Sequence, residues 1–188
     1  MSLEHAILGF VHERPRSGYD LKKAFDRSVA HFWPASQSQI YRTLDRLTRD
    51  GMVEVQVIQQ DGKPNRKVYH LTEDGLLELR DWLVSPLPLN PFREAFLIQF
   101  FWADAITRDE LVKLLEDRAS KHRERMEYYI GALQRFEGKP PVGVWDKVLQ
   151  PLIVDAGIAQ EKAWLSWIER TVEKVKSVSP EEGEAEHV

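Results

Sequence analysis

The sequence predicts a mostly α-helical fold with one small β-hairpin, divided into two domains. Three observations predict it. Within residues 1–85, three stretches with helical spacing of apolar residues precede two of period-two alternation, and a fourth helix-like stretch follows. SPLPLNPF, with three prolines at 85–92, interrupts the chain. From Leu115, seam positions recur at alternating steps of four and three: Ala119, His122, Met126, Tyr129, Leu133 and Phe136.

Each element follows from local chemistry. Residues 3–12 place Leu3, Ala6, Ile7, Phe10 and Val11 at helical spacing, and PRSG then breaks the pattern. Ser17 opens a capping box with Asp20: the hydroxyl accepts from a free backbone NH and the carboxylate reaches back. The helix that follows, about 18–29, is expected to bury Leu21, Ala24, Phe25 and Val29. HFWPA stops it, since Pro34 lacks an NH and clashes with a preceding turn. A second box, Ser36 with Gln39, starts a third helix. Ile40, Leu44 and Leu47 form its inner stripe; Ser38, Arg42, Asp45 and Arg49 lie opposite, flanked by Arg46. Gly51 suits the positive φ at the helix end. Val53, Val55 and Val57 alternate as a strand, DGKPN turns, and RKVYHL returns. Thr72 starts a fourth helix, with Glu73 and Asp74 favourable to its dipole. That helix is expected to bury Leu76, Leu77, Leu79, Leu83 and Trp82. Two helices meeting at a short turn, the second followed by a hairpin, is the layout of a winged helix-turn-helix.

Beyond the linker, EAFLIQFFWAD reads as a dense apolar helix, and Thr107 with Glu110 makes a third capping box. EGKPPVG ends the seam helix, and a last helical stretch runs from about 144 to 177, with Pro151 and Gly157 expected to kink or divide it. The domains are thus 1–85, a proline-rich linker 86–91, a second, helical domain 92–177, and an acidic, disordered tail 178–188.

Composition narrows the function. The 188 residues are 43% hydrophobic and 30% charged, a globular balance. No cysteine is present, which excludes disulfides, thiolate metal sites and cysteine nucleophiles. No apolar run approaches the roughly 20 residues of a membrane span, and the N-terminus lacks a signal-peptide pattern. A cytoplasmic location is expected. His5, His12, His31, His70 and His122 lack metal-ligand spacing, so neither metal nor cofactor is expected. The net charge is −4, but residues 1–85 are neutral with 12 basic and 12 acidic side chains. Between 38 and 71 the basic residues lead by six to four.

GYDL at 18–21, WPASQSQIYRTLDRL at 33–47, DGMVE at 50–54 and KPNRKVYHLTEDG at 63–75 resemble the PadR family of transcriptional regulators. The second half, beginning REAFLIQFF, is similar to the helical C-terminal domain of the family's long members, through composition and placement more than through exact residues. The resemblance implies a homodimer on a pseudo-palindromic operator, acting as a repressor released by a small aromatic or hydrophobic effector.

The residues themselves agree with a DNA reading. A helix fits the major groove and presents its outward N-terminal residues to base edges. Here these are Ser36, Gln37, Ser38, Gln39, Tyr41 and Arg42. Ser36 reads more simply as a cap than as a base reader; Gln39 serves the cap, a base, or both; Tyr41 divides between core and groove. Arg46 and Arg49 suit phosphate. Lys63, Asn65, Arg66 and Lys67 form the wing tip, and Tyr19 can reach a phosphate through its hydroxyl, a role that the family resemblance also implies for this position. Asp45, on the same side, opposes phosphate unless Arg42 or Arg49 neutralises it.

A seam of this kind pairs within a chain or between chains. For a dimer, Leu3, Phe10, Met126, Leu133, Trp164, Trp167 and Ile168 are the candidate contacts. Phe32, Trp33, Phe101 and Trp102 are candidates for an aromatic effector pocket, although core and interface packing account for any one of them more simply. No phosphate-binding glycine loop or nucleophile motif points to an enzyme. The competing reading is a winged-helix adaptor that binds protein rather than DNA.

Overall fold

The computed structural model describes residues 2–30, 32–62, 65–89, 91–137 and 146–178. Lys63, His31, Trp145, the side chain of Phe136, the break at 138–143 and the tail from 179 lie outside them. The chain divides into two compact units, Met1–Asn90 and Pro91–Val188. Among the described residues, no helix is long and apolar enough to cross a membrane.

The first unit runs α1 (Ser2–Glu13), β1 (Arg16–Ser17), α2 (Gly18–Arg27), α3 (Gln37–Arg49), β2 (Val53–Ile58), β3 (Arg66–Leu71) and α4 (Glu73–Val84). Its core joins Ile7, Leu8 and Val11 of α1 to Leu21 and Phe25 of α2, Ile40, Leu44 and Leu47 of α3, Val53, Tyr69 and Leu79. Each fully buried aliphatic side chain contributes about 1.5–3 kcal/mol, so α3 is held by the stripe that the spacing predicts. Gly51 has φ 74°, and Met52 N donates to Leu47 O at 2.9 Å, which closes α3 and aims the chain into β2. Thr72 then serves two ends at once. Its Oγ1 donates to Gly51 O at 2.7 Å and accepts from Gly75 N at 3.0 Å, while its own N donates to Met52 O at 3.2 Å.

Two expectations are corrected here. The PRSG break contains a strand: Arg16 and Ser17 pair antiparallel with Tyr69 and Val68, giving a three-stranded sheet ordered β1-β3-β2. Leu77 and Leu83 are 56% and 64% exposed rather than buried. The reason is that α4 turns another face inward, anchored by Leu79 and by Trp82, which stacks on His5 of α1 at 4.5 Å.

The second unit holds α5 (Ala95–Phe101), a 3-10 turn (Ala103–Ala105), α6 (Arg108–Glu137) and α7 (Asp146–Ser177). The Thr107 box forms in both directions, Thr107 N to Glu110 Oε2 at 2.9 Å and Glu110 N to Thr107 Oγ1 at 3.3 Å. α6 and α7 lie antiparallel, with Glu116 beside Lys176 and His122 beside Glu161. The seam of α6 packs on α7 of the same chain: Leu115 and Ala119 join Ile168, and Tyr129 and Ala132 join Val154 and Ile158. α7 is not divided. Pro151 lies inside it, at the sixth residue, where its missing NH removes one intrahelical bond without ending the helix, and Gly157 lets the Tyr129 ring approach to where a Cβ would stand, 2.8 Å away.

Candidate nucleic-acid interface

The outer face of α3 is organised by its first turn. Ser36 Oγ accepts from Gln39 N at 3.2 Å, and Gln39 Oε1 accepts from Ser36 N at 2.8 Å. In the free chain, therefore, Gln39 serves the cap. Gln37, Ser38, Arg42, Asp45 and Arg49 are exposed around it. Arg42 Nε donates to Ser38 O at 3.4 Å, which lays the side chain back along the helix. Arg46 is paired with Glu4 of α1. Tyr41 divides as expected: it is 38% exposed, and its ring lies over Gly18, where a Cβ would come within 2.7 Å.

Beside α3, a groove of about 540 Å³ opens between the start of α2 and the hairpin. Ser17, Gly18, Tyr19, Asp20 and Tyr41 line one side; Gln60, Asn65, Arg66, Lys67 and Tyr69 line the other. The groove thus gathers Tyr19, Tyr41, Asn65, Arg66 and Lys67, which are scattered along the chain. Tyr19 is largely exposed, with Lys23 Nζ 4.5 Å from its ring centre.

Asp20 is the groove residue whose role the sequence did not disclose. Its Oδ2 accepts from Ser17 Oγ at 2.6 Å and from Arg66 Nη2 at 2.6 Å. The Ser17 hydroxyl and, after it, the Arg66 guanidinium hold the Asp20 carboxyl below the usual carboxylate range, against partial burial. Burial pushes the Tyr69 phenol up, and Asp45 adds to it. The Ser17–Asp20 box is readable in the sequence; its partner, 46 residues downstream, is not.

The second unit offers a shallow apolar cavity of about 360 Å³, lined by Phe92, Leu97, Gln160, Ala163, Trp164 and Trp167. It is within the size range of small-molecule sites. Trp164 and Trp167, named above as interface candidates, stand on its wall edge to face at 5.6 Å. The effector candidates lie elsewhere. Phe32 and Trp33 are exposed in the first unit, and Phe101 and Trp102 are exposed in the second, packed against each other at 5.0 Å. Among the dimer candidates, Leu3 and Phe10 pack onto the first unit's own core, and Met126 and Leu133 are half-buried. Ile168 is 2% exposed in a single chain, which leaves almost no surface for a second chain to cover.

A winged helix-turn-helix with a polar, arginine-bearing outer helix, followed by a helical second unit, defines a transcriptional regulator of the winged-helix class. Residues 7–81 match the transcriptional regulator PadR-like family, and residues 92–176 match the virulence activator alpha C-terminal family. A probable transcriptional regulator of Mycobacterium tuberculosis is 32% identical over 94% of this chain and 98% of its own length. The negative transcriptional regulator PadR of Bacillus subtilis is 28% identical over 89% of this chain and 93% of its own. The crystal structure of Bacillus subtilis PadR in complex with operator DNA superposes with a TM-score of 0.83, at 27% identity, covering 93% of this chain and 99% of that one. The structure of the same protein with p-coumaric acid gives 0.78 at 26% identity, covering 94% and 96%. The chain belongs to the PadR-like family of transcriptional regulators.

Proposed function

We propose that this regulator is a dimeric, sequence-specific DNA-binding repressor, with α3 in the major groove and the hairpin along the adjacent backbone. The observation that carries the reading is the exposed outer face of α3, where Gln37, Ser38 and Arg42 stand clear of the core beside a groove containing Arg66 and Lys67. Arg42 pairs with guanine, Gln37 with adenine, and Ser38 with either a base or a phosphate. Arg49, Lys67 and the Tyr19 hydroxyl meet phosphates. Asp45, whose charge reaches Tyr69, opposes phosphate on this face unless Arg42 or Arg49 neutralises it. Relatives support this assignment, since one of them has been solved on operator DNA.

Residues 92–177 are assigned to dimerisation and effector binding. Leu149, Leu152 and Ile153 of α7 are all exposed apolar side chains that a second copy would cover. The cavity of Trp164 and Trp167 suits a small aromatic effector, and a relative has been solved with p-coumaric acid. The site of action is the cytoplasm, with the DNA. The adaptor alternative is less supported, because a protein-docking face is more often apolar or acidic than the polar surface of α3.

The test is fluorescence anisotropy with DNA from the protein's own upstream region, at two salt concentrations, beside Arg42→Ala. Binding that weakens with salt and loses about 1–3 kcal/mol on substitution is expected. Absence of binding to any fragment in a genomic selection would leave the adaptor reading in its place.

A further inference from the structure

The surface formed by α3 and the groove beside it presents fewer free cations than its composition implies. Arg66 Nη2 is 2.6 Å from Asp20 Oδ2, and Arg46 is paired with Glu4, although both arginines are about half exposed. Arg42, Arg49 and Lys67, by contrast, form no ion pair among the described residues. Two of the arginines that would meet phosphate are therefore already partnered before any DNA arrives. Each phosphate neutralised by a free cation adds roughly 0.9 to the salt slope of binding and strengthens all sequences alike. A cation that already has a carboxylate contributes little to that term.

We propose that Asp20 is a specificity-determining residue, withholding Arg66 from the DNA backbone so that affinity depends more on base contacts by α3 and less on charge. The inference rests on the DNA-binding reading above. Asp20 suits the task because its position is fixed twice over. It lies at the third residue of α2, and it is bound to the Ser17 hydroxyl. Arg66 begins β3, opposite Ile58 at the far end of the ladder from the hairpin's base. The pair thus also ties the outer part of the hairpin to the start of α2. Glu4 on Arg46 extends the same arrangement to the back half of α3.

The experiment is a salt titration of binding to operator and to scrambled DNA, for wild type, Asp20→Asn, Arg66→Gln and the double variant. Asparagine retains an oxygen that accepts from Ser17, and circular dichroism checks that α2 is intact. Asp20→Asn is expected to steepen the slope by about 0.9. Scrambled DNA is expected to bind several-fold tighter, with the operator-to-scrambled ratio falling. Arg66→Gln alone is expected to leave the slope unchanged, and in the double variant to restore the wild-type slope. If Arg66→Gln alone flattens the slope by about 0.9, Arg66 meets phosphate despite Asp20 and the proposal is overturned. An unchanged or shallower slope for Asp20→Asn overturns it equally. Should Asp20→Asn fail to fold, Arg66→Gln decides the question. Wild type binding no DNA at all would instead defeat the underlying reading.

Discussion

The two units pair their buried basic side chains in different ways. In the first, His5 and Arg16 are 4% and 7% exposed, but their partners Glu78 and Glu13 are about half exposed. In the second, His122 and Glu161 are both nearly inaccessible and lie 2.5 Å apart between two apolar clusters. Arg118 Nε donates to His122 Nε2 at 3.1 Å, which leaves Nδ1 to donate to Glu161; Arg125 approaches the other carboxylate oxygen at 3.5 Å. An exposed carboxylate can exchange its partner for water, whereas a buried one cannot. The first arrangement tolerates loss of a partner, and the second makes the register of α6 on α7 depend on it.

The largest expected effect tests that contrast directly. Glu161→Ala strands a buried histidine N–H and is expected to destabilise the second unit by about 3 kcal/mol, the upper end for a buried donor left unpaired. Glu78→Ala in the first unit is expected to lose less than about 1 kcal/mol. Urea denaturation followed by tryptophan fluorescence measures both, and equal losses would remove the distinction. Next in size is Gly75→Ala. A Cβ there would stand 2.1 Å from Met52 O, a backbone atom that cannot rotate away, and a loss of about 1–3 kcal/mol is expected. Ser36→Ala removes the cap of α3 and is expected to lose about 1 kcal/mol by the same measurement.

The smallest effect is a pH dependence at the surface pair. The Asp20 carboxyl titrates lower in the folded chain than in the unfolded one, so its contribution is complete above the unfolded value near 3.9. It is lost as pH falls through the lower folded value. The difference in urea midpoint between wild type and Asp20→Asn is expected to hold from pH 7 to about 5 and to shrink below about 4. A difference that changes near neutrality would mean another group is responsible.

These features also divide by how far apart in sequence they are made. The caps at Ser36 and Thr107, the positive φ at Gly51 and the inner stripe of α3 depend on neighbours within four residues, and all were legible. The seam was legible as a pattern, but its partner, α7 of the same chain, was not. β1 was missed because two residues become a strand only by pairing with β3, some 50 positions away. Leu77 and Leu83 were misplaced because α4 is oriented by His5 and Trp82, not by its own richest stripe. In the candidate interface, the outward position of the α3 residues was readable from helical spacing. The pairs Asp20–Arg66 and Glu4–Arg46 were not, since each joins elements that only the fold brings together.

Thr72 has a consequence for how this family can diversify. It closes the hairpin at its base while also capping α4 and holding the end of α3. The geometry of both helices is therefore settled before the chain between Ile58 and Arg66 is specified. Doubling a flexible connection adds only about 0.6 kcal/mol to its closure. Insertions and deletions can accumulate there across lineages while α3 and α4 keep their register.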